Sequence, residues 1–224
     1  MMKHYLLKRS FVQNQKMNYR CVQGIYKLVN ANDNGAVYLN LNGHDASMYA
    51  SGIVNMMWQS WNRFWRTFWM AQIFGGFSLD NKKIVPLHLS RAVKNENEAI
   101  FYVLFLLGKK RYPSGAIIGS YQEPTWGSVQ TIQEIAAQWP NKFDHILNAL
   151  SVYGTTIKHF QIVRNAIIHI DNDNMYNIKV GVMPHYRISN IMHPVDILFS
   201  KNISTGKTAI VTWEQELRAM LLMI

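Results

Sequence analysis

The sequence predicts a mainly α-helical protein that carries a β-hairpin near its N-terminus and one or two peripheral strands. Apolar residues recur at helical spacing in several long segments, whereas strict alternation is confined to short runs. The composition, 49% hydrophobic and 16% charged, is typical of a globular protein rather than a disordered one. The 224 residues are enough for one domain with a sizeable core, or one domain with a small appendage.

Residues 1–47 are predicted to form an N-terminal extension built on a β-hairpin. Gly24–Asn30 and Ala36–Asn42 have the β-like composition of short strands, and the second run alternates apolar and polar residues. Asn32–Gly35 lies between them and favours a tight turn, because Asn and Gly tolerate positive φ.

Residues 48–175 are predicted to form the helical core. A long helix, Met48–Phe74, begins it and ends at Gly75 and Gly76. The tryptophans of this helix share one stripe, which we interpret as core rather than as a base-stacking surface; they are Trp58, Trp61, Trp65 and Trp69. Residues 77–95 are predicted as a loop. Further helices are predicted at Asn97–Leu107, Ser128–Gln138, Lys142–Tyr153 and Thr155–Ile170, the last two separated by a break or bend at Gly154.

Residues 176–224 are predicted to add a strand and a helix that pack on this core. Tyr176–Val182 alternates apolar and polar residues, which favours a strand. Val211–Ile224 reads as a helix, with Thr212 and Gln215 at the spacing of a capping box.

The net charge of +10 favours a polyanionic partner, with nucleic acid first and an anionic membrane second. A solvated basic face is the plainer alternative. Lys109, Lys110 and Arg111 lie in a long predicted loop, Gly108–Trp126, and loops of this length are often functional. These three residues are therefore candidates for RNA binding.

Several features indicate a cytoplasmic protein. Cys21 is the only cysteine, so an internal disulfide is excluded and nothing points to an oxidising compartment. The N-terminus lacks the apolar segment of a secretory signal. The apolar run Ala99–Leu107 is far shorter than the ~20 residues that a membrane span needs, so no membrane contact is expected.

No metal or cofactor is expected. Val195–Thr208 imitates a strand followed by a phosphate loop, but Lys201 stands where that loop needs glycine. Asp171–Tyr176 imitates the start of a calcium loop, but Met175 and Tyr176 occupy the positions of an oxygen ligand and of glycine. The eight histidines show no zinc-binding spacing.

The strongest catalytic candidates are Arg164, Asn165 and His169. On a helix, Asn165 and His169 share a face, and Arg164 is long enough to reach the same space. Apolar residues surround the three, and polar groups in such a setting are costly unless they are partnered or line a cleft. The alternative is an ordinary helix end, where a cation lies near the C-terminal dipole and His169 acts as a cap.

The segment Arg164–His169 resembles the motif of HEPN domains: Arg, a polar residue that is often Asn, a few variable residues, then His. Its setting in a late helix of a helical region, followed by a polar turn, is similar as well. The resemblance covers residues 48–175 and neither end of the chain. One position departs from it: HEPN toxins paired with nucleotidyltransferase antitoxins often carry Tyr where Asp171 stands here.

This resemblance implies a metal-independent endoribonuclease, in which the ribose 2′-hydroxyl attacks the adjacent phosphate and leaves a 2′,3′-cyclic phosphate. His169 would transfer protons, Arg164 would bind the charged phosphate, and Asn165 would hold His169 or the phosphate. It also implies a homodimer with a composite site. The expected role is a toxin or antiviral effector of abortive infection, with RNA as substrate and an antitoxin or regulatory protein as partner.

Two alternatives stay open. The chain could be a non-catalytic HEPN module that binds RNA, nucleotide or a protein partner. It could also be a helical interaction protein that has no role with nucleic acid.

Overall fold

A computed structural model describes residues 5–27, 29–31, 37–39, 43–87, 93–108, 123–141, 143–191 and 193–224. The predicted mainly α-helical class is confirmed in these residues. The helices are α1 (Leu7–Lys27), α2 (Gly43–Phe74), α3 (Glu96–Leu106), α4 (Val129–Gln138), α5 (Asp144–Ile168), α6 (Asn172–Gly181), α7 (Asp196–Phe199) and α8 (Ala209–Leu222). A 3-10 turn, Met183–His185, follows α6.

The strands are short and form two small sheets; they are β1 (Tyr5–Leu6), β2 (Val29–Ala31), β3 (Val37–Leu39), β4 (Gly76–Phe77) and β5 (Lys83–Ile84). β2 and β3 pair antiparallel with Val29 opposite Leu39, so the predicted hairpin is confirmed in a shorter form. Its turn lies outside the described residues. β4 pairs parallel with β1 and antiparallel with β5. The segment predicted as a loop over residues 77–95 therefore contains strand pairing.

Helix α1 is absent from the sequence prediction, and its last residues overlap the first predicted strand. The prediction of a strand from Gly24 was therefore wrong as far as Lys27. The buried residues of α1 include Leu7 and Ile25, but Asn14 and Asn18 are buried with them. Two asparagines on the buried face conceal the apolar period that marks a helix in the sequence.

The chain divides into two compact units. Unit 1 comprises Met1–Asn14, Ser60–Ser151 and Ile224, and unit 2 comprises Gln15–Gln59 and Val152–Met223. The predicted division into residues 1–47, 48–175 and 176–224 is a different one, and it stays a prediction.

The core of unit 1 is aromatic. Trp65 and Trp69 of α2 are fully buried and stack with their ring centroids 6.0 Å apart. The ring centroid of Trp69 also lies 5.3 Å from that of Trp139 and 5.6 Å from that of Phe143. The tryptophan stripe is thus core, as interpreted from its spacing. Helices α3 and α4 agree with prediction, and Ser128 caps α4 by accepting a hydrogen bond from the Thr131 N–H.

The core of unit 2 joins α2, α5 and α8. Trp58 of α2 meets Phe160 of α5 edge-on, with the ring centroids 5.3 Å apart. Phe160 lies at the same distance from Trp213 of α8, whose indole N–H donates to the Tyr186 hydroxyl at 2.8 Å. These contacts fix the end of α5 that carries the catalytic candidates.

Three predictions for the second half of the chain were wrong. Helix α5 is continuous through Gly154, which is buried inside it. Residues 176–182 are not a strand, because Asp171 caps α6 and starts a helix over most of them. The last helix begins at Ala209, so Thr212 is a buried residue within it and not its capping residue.

Within the described ranges, none of the helices combines the length and the hydropathy that crossing a bilayer requires.

Candidate active site

The three catalytic candidates lie at the C-terminal end of α5, in unit 2. Arg164 and Asn165 belong to its last turns, and His169 directly follows Ile168, the final helical residue. Arg164 and Asn165 are half-buried, whereas His169 is exposed. The neighbouring Val163 and Ala166 are fully buried and hold this end of the helix against the core.

The Arg164 guanidinium is fixed from two sides. Its Nε and Nη2 donate to Oδ1 of Asn55 at 3.3 and 3.1 Å, and its Nη1 donates to Oδ1 of Asn165 at 3.1 Å. Burial lowers the pKa of Arg164, yet the group stays charged because an arginine pKa starts far above neutrality. The result is a positioned cation whose remaining N–H groups can bind an anion.

Asn55 belongs to α2 and was not among the predicted site residues. It lies one turn before Trp58, and Arg164 lies one turn after Phe160, so the aromatic contact and the polar contact are adjacent. A polar residue inside the apolar run of α2 was the available sign in the sequence. Its partner on α5 could not be identified without the fold.

His169 has a fixed backbone and a free side chain. Its N–H donates to the Asn165 carbonyl at 2.8 Å, and its own carbonyl accepts from the Asn174 side chain at 3.0 Å. Across the described ranges, no hydrogen bond to the imidazole is present. The amide oxygen of Asn165 is taken by Arg164, so Asn165 orients the arginine and not the histidine.

Asp171 has a structural role beside the site. Its Oδ1 accepts from the Asn174 N–H at 2.7 Å, and its Oδ2 accepts from the Asn174 side chain at 2.8 Å. Asp171, which stands where HEPN toxins often carry tyrosine, is the N-cap of α6. The calcium-loop likeness of this segment is explained by the same cap.

The structure also explains the segment that imitates a phosphate loop and the lone cysteine. The first part of Val195–Thr208, which imitates a strand, is helical because α7 occupies Asp196–Phe199, so the likeness of this segment to a phosphate loop ends there. Cys21 is buried, which raises the pKa of its thiol to about 11 and keeps it protonated near neutral pH. No group of three or more His, Cys, Asp or Glu side chains is clustered for metal binding in the described ranges.

The predicted RNA-binding residues Lys109, Lys110 and Arg111 lie outside the described residues. Their role in RNA binding stays a prediction.

A second histidine of α5 lies in the core of unit 2. His159 is 4% exposed, and its ring centroid lies 4.5 Å from that of His185 and 5.8 Å from that of Tyr186. Burial, with a contribution from the nearby His185, lowers the pKa of His159 to about 4. Burial likewise raises the pKa of Tyr186 to about 12. Both groups are neutral at neutral pH, as packing in a core requires.

Unit 1 contains a half-buried ionic cluster that the sequence did not reveal. Arg66 pairs with Glu123 at 2.9 Å and with Glu96 at 3.0 Å. Tyr5 donates its hydroxyl to Glu96 at 2.8 Å, and the Trp126 indole donates to Glu123 at 2.7 Å. Because these groups satisfy one another, the cluster reads as a structural connection between α2, α3 and β1.

Comparisons of the chain with protein-family models, with curated proteins and with solved structures found no match. Inference about function therefore depends on the chemistry at the end of α5. A positioned guanidinium and an exposed imidazole at one helix end supply a group that can bind an anion and a group that can exchange a proton.

Proposed function

We propose that the chain is a metal-independent endoribonuclease of HEPN type, with Arg164 and His169 as catalytic residues and Asn165 as a positioning residue. The observation that carries the proposal is the fixed Arg164 guanidinium, held by Asn55 and Asn165 on the same helix end as an exposed histidine. This pair has the residue types that phosphodiester cleavage without a metal needs.

The reaction is a transfer within the RNA strand. The 2′-oxygen of the ribose forms a bond to the adjacent phosphorus, and the bond from phosphorus to the 5′-oxygen breaks. The 2′-hydroxyl loses its proton to a neutral imidazole, and the departing 5′-oxygen gains a proton from a protonated one. Arg164 stabilises the charge that gathers on the phosphate oxygens. The products are a 2′,3′-cyclic phosphate and a 5′-hydroxyl.

A second copy of the chain would supply the second imidazole. One neutral histidine accepts a proton but has none to donate in the same step, so a homodimer with a composite site is the natural arrangement. Exposed apolar side chains flank His169: Ile168 is 40% exposed, Ile170 60% and Tyr176 64%. Apolar and aromatic residues around the motif support a two-fold contact at this end of α5.

The wider role follows from the same resemblance. We place the activity in a cytoplasmic toxin or antiviral effector that cleaves RNA and is restrained by an antitoxin or regulatory protein. The net charge of +10 supports a polyanionic substrate.

The test is cleavage of total RNA by purified protein in the presence of a chelator, followed by analysis of the fragment ends. The wild type is expected to leave cyclic phosphate ends, whereas Arg164→Ala and His169→Ala lower the rate by about 100-fold or more. His145→Ala is the matched control, since His145 is also an exposed histidine of α5.

Equal cleavage by the wild type and both site variants would refute the proposal. RNA binding without cleavage by the wild type would favour the non-catalytic module instead. A failure to bind RNA at low and high salt alike would favour a helical interaction protein.

A further inference from the structure

Unit 1 carries an open groove between α1 and α2 that contains two arginines. We call it the arginine groove; its lining residues are Tyr5, Leu6, Arg9, Ser10, Gln13, Arg63 and Thr67. Its volume is about 200 Å³. The Asn14 side chain donates to the Ser60 hydroxyl at 3.1 Å near one end, and β1 pairs with β4 near the other. The two helices that form the groove are therefore held together on both sides of it.

Each helix presents the same combination of groups. Arg9 and Gln13 lie one turn apart on α1, and Arg63 and Thr67 lie one turn apart on α2, so each pair shares a helix face. The pairing of Tyr5 with Gly76 and of Asn14 with Ser60 makes the helices antiparallel here. Each arginine is thus level with the neutral hydrogen-bonding residue of the opposite helix.

Neither guanidinium is neutralised. Arg9 and Arg63 are exposed, and neither forms a salt bridge or side-chain hydrogen bond with another residue that the structure describes. No carboxylate is among the groove's described lining residues. Glu96, which accepts a hydrogen bond from Tyr5 at the edge of the groove, is paired with Arg66. Among the residues that the structure describes, the groove therefore offers two cations without an acidic partner and several neutral polar groups.

We propose that the arginine groove binds backbone phosphates of single-stranded RNA. Arginine N–H groups match the oxygens of a phosphate, and hydroxyl and amide groups such as those of Ser10, Thr67 and Gln13 complete its hydrogen bonds. The volume is below the ~300–1,000 Å³ of a pocket for a whole small molecule, which favours phosphate groups of a strand that continues beyond the groove.

The groove positions RNA and does not read its sequence, because contacts to phosphate carry no sequence information. The choice of RNA among phosphate polymers rests on the proposed function; the phosphate site itself does not. Binding must therefore be measured separately from cleavage.

The experiment measures binding of a 2′-O-methyl RNA oligonucleotide by fluorescence anisotropy over a range of salt concentrations. This probe has no free 2′-hydroxyl, so it cannot be cleaved by the proposed reaction. Arg9→Ala and Arg63→Ala are each expected to weaken binding equally for unrelated sequences. Each should make the slope of log affinity against log salt shallower by about 0.7, and the double variant by about 1.4. Arg218→Ala, which removes an exposed arginine of α8 outside the groove, is the control.

The same slope and affinity for the double variant and for Arg218→Ala would overturn the proposal, provided that both give the wild-type circular dichroism spectrum. Arg63→Lys, which keeps the charge, should retain most of the slope; if it behaves like Arg63→Ala while folded, a phosphate contact is refuted. Displacement of the probe by equimolar inorganic phosphate would assign the site to free phosphate. If the double variant loses binding to phosphatidylserine vesicles but keeps its RNA binding, the groove would be assigned to a membrane. Both results would contradict RNA binding in the groove.

Discussion

One histidine within helix α5 and one directly after it have opposite surroundings. His159 is packed among His185 and Tyr186 in the core of unit 2, and burial lowers its pKa to about 4. His169 follows the last residue of the same helix and is exposed. One imidazole is held neutral and away from solvent, and the other is open to a substrate.

The comparison teaches that residue type alone does not select a catalytic histidine. An imidazole that exchanges protons with a substrate must be accessible and must titrate near the working pH. His159 meets neither condition, whereas His169 is exposed and directly follows the helix end that carries the fixed Arg164. The following changes probe this difference, from the largest expected effect on the free energy of unfolding to the smallest.

Acid should destabilise the protein through His159. Between pH 6.5 and about 4 the unfolded chain binds a proton at this residue and the folded chain does not, so the free energy of unfolding falls as the pH falls through this window. Acidification through the whole window should lower the free energy of unfolding by about 3 kcal/mol through His159. Urea unfolding of the wild type and of His159→Gln across this range measures it, and the variant should show a flatter profile.

His169→Gln is the control for the acid experiment and should keep the wild-type pH profile. His145 and His193, whose pKa values burial also lowers, contribute equally to all three proteins. If His159→Gln and the wild type lose stability in parallel on acidification, His159 is not the buried neutral group described here.

Asn55→Ala should damage the site with a moderate loss of stability. It removes the acceptor of two Arg164 hydrogen bonds, at a cost of about 2 kcal/mol, which is low for hydrogen bonds to a charged group because water can reach a half-buried guanidinium. We expect cleavage to fall about tenfold, since the cation loses its fixed position. Rates from a single-turnover assay and free energies from urea unfolding measure the two effects.

Asn55→Asp separates these effects. A carboxylate still accepts from Arg164 and should preserve stability, but it competes with the substrate phosphate for the cation and should lower cleavage. Wild-type rates for both Asn55 variants would mean that the contact with Arg164 has no part in catalysis.

Asp171→Ala should have the smallest effect, a loss of about 1 kcal/mol from the cap of α6. Asp173→Ala is the matched control, because Asp173 lies in the first turn of the same helix and should cost only a few tenths of a kcal/mol through the helix dipole. Thermal unfolding of both variants compares them, and equal losses would show that the cap contributes nothing of its own.

The sequence predicted the elements whose signals are local. The tryptophan stripe of α2, the all-round apolar α3 and the Ser128 cap each depend on neighbours along one helix. Helix α1 escaped because buried Asn14 and Asn18 interrupt its apolar face. The segment from Tyr176 alternates like a strand, yet the cap at Asp171 starts a helix there.

The residues of the candidate motif could be predicted from the sequence, but the contacts that position them could not. Arg164, Asn165 and His169 are close in sequence, so their spacing was visible before the fold. Asn55 holds Arg164 from a distant part of the chain, and the arginine groove joins two helices, so neither could be found from local patterns. Contacts between residues far apart in sequence depend on packing.

We propose that His169, and neither of the histidines within α5, transfers protons in RNA cleavage. The most direct measurement is the single-turnover cleavage rate of one defined RNA by the wild type, His169→Ala and His145→Ala. We expect the rate to fall by about 100-fold or more for His169→Ala and to keep the wild-type value for His145→Ala, with wild-type stability for both variants. Cleavage by His169→Ala at the wild-type rate would contradict it.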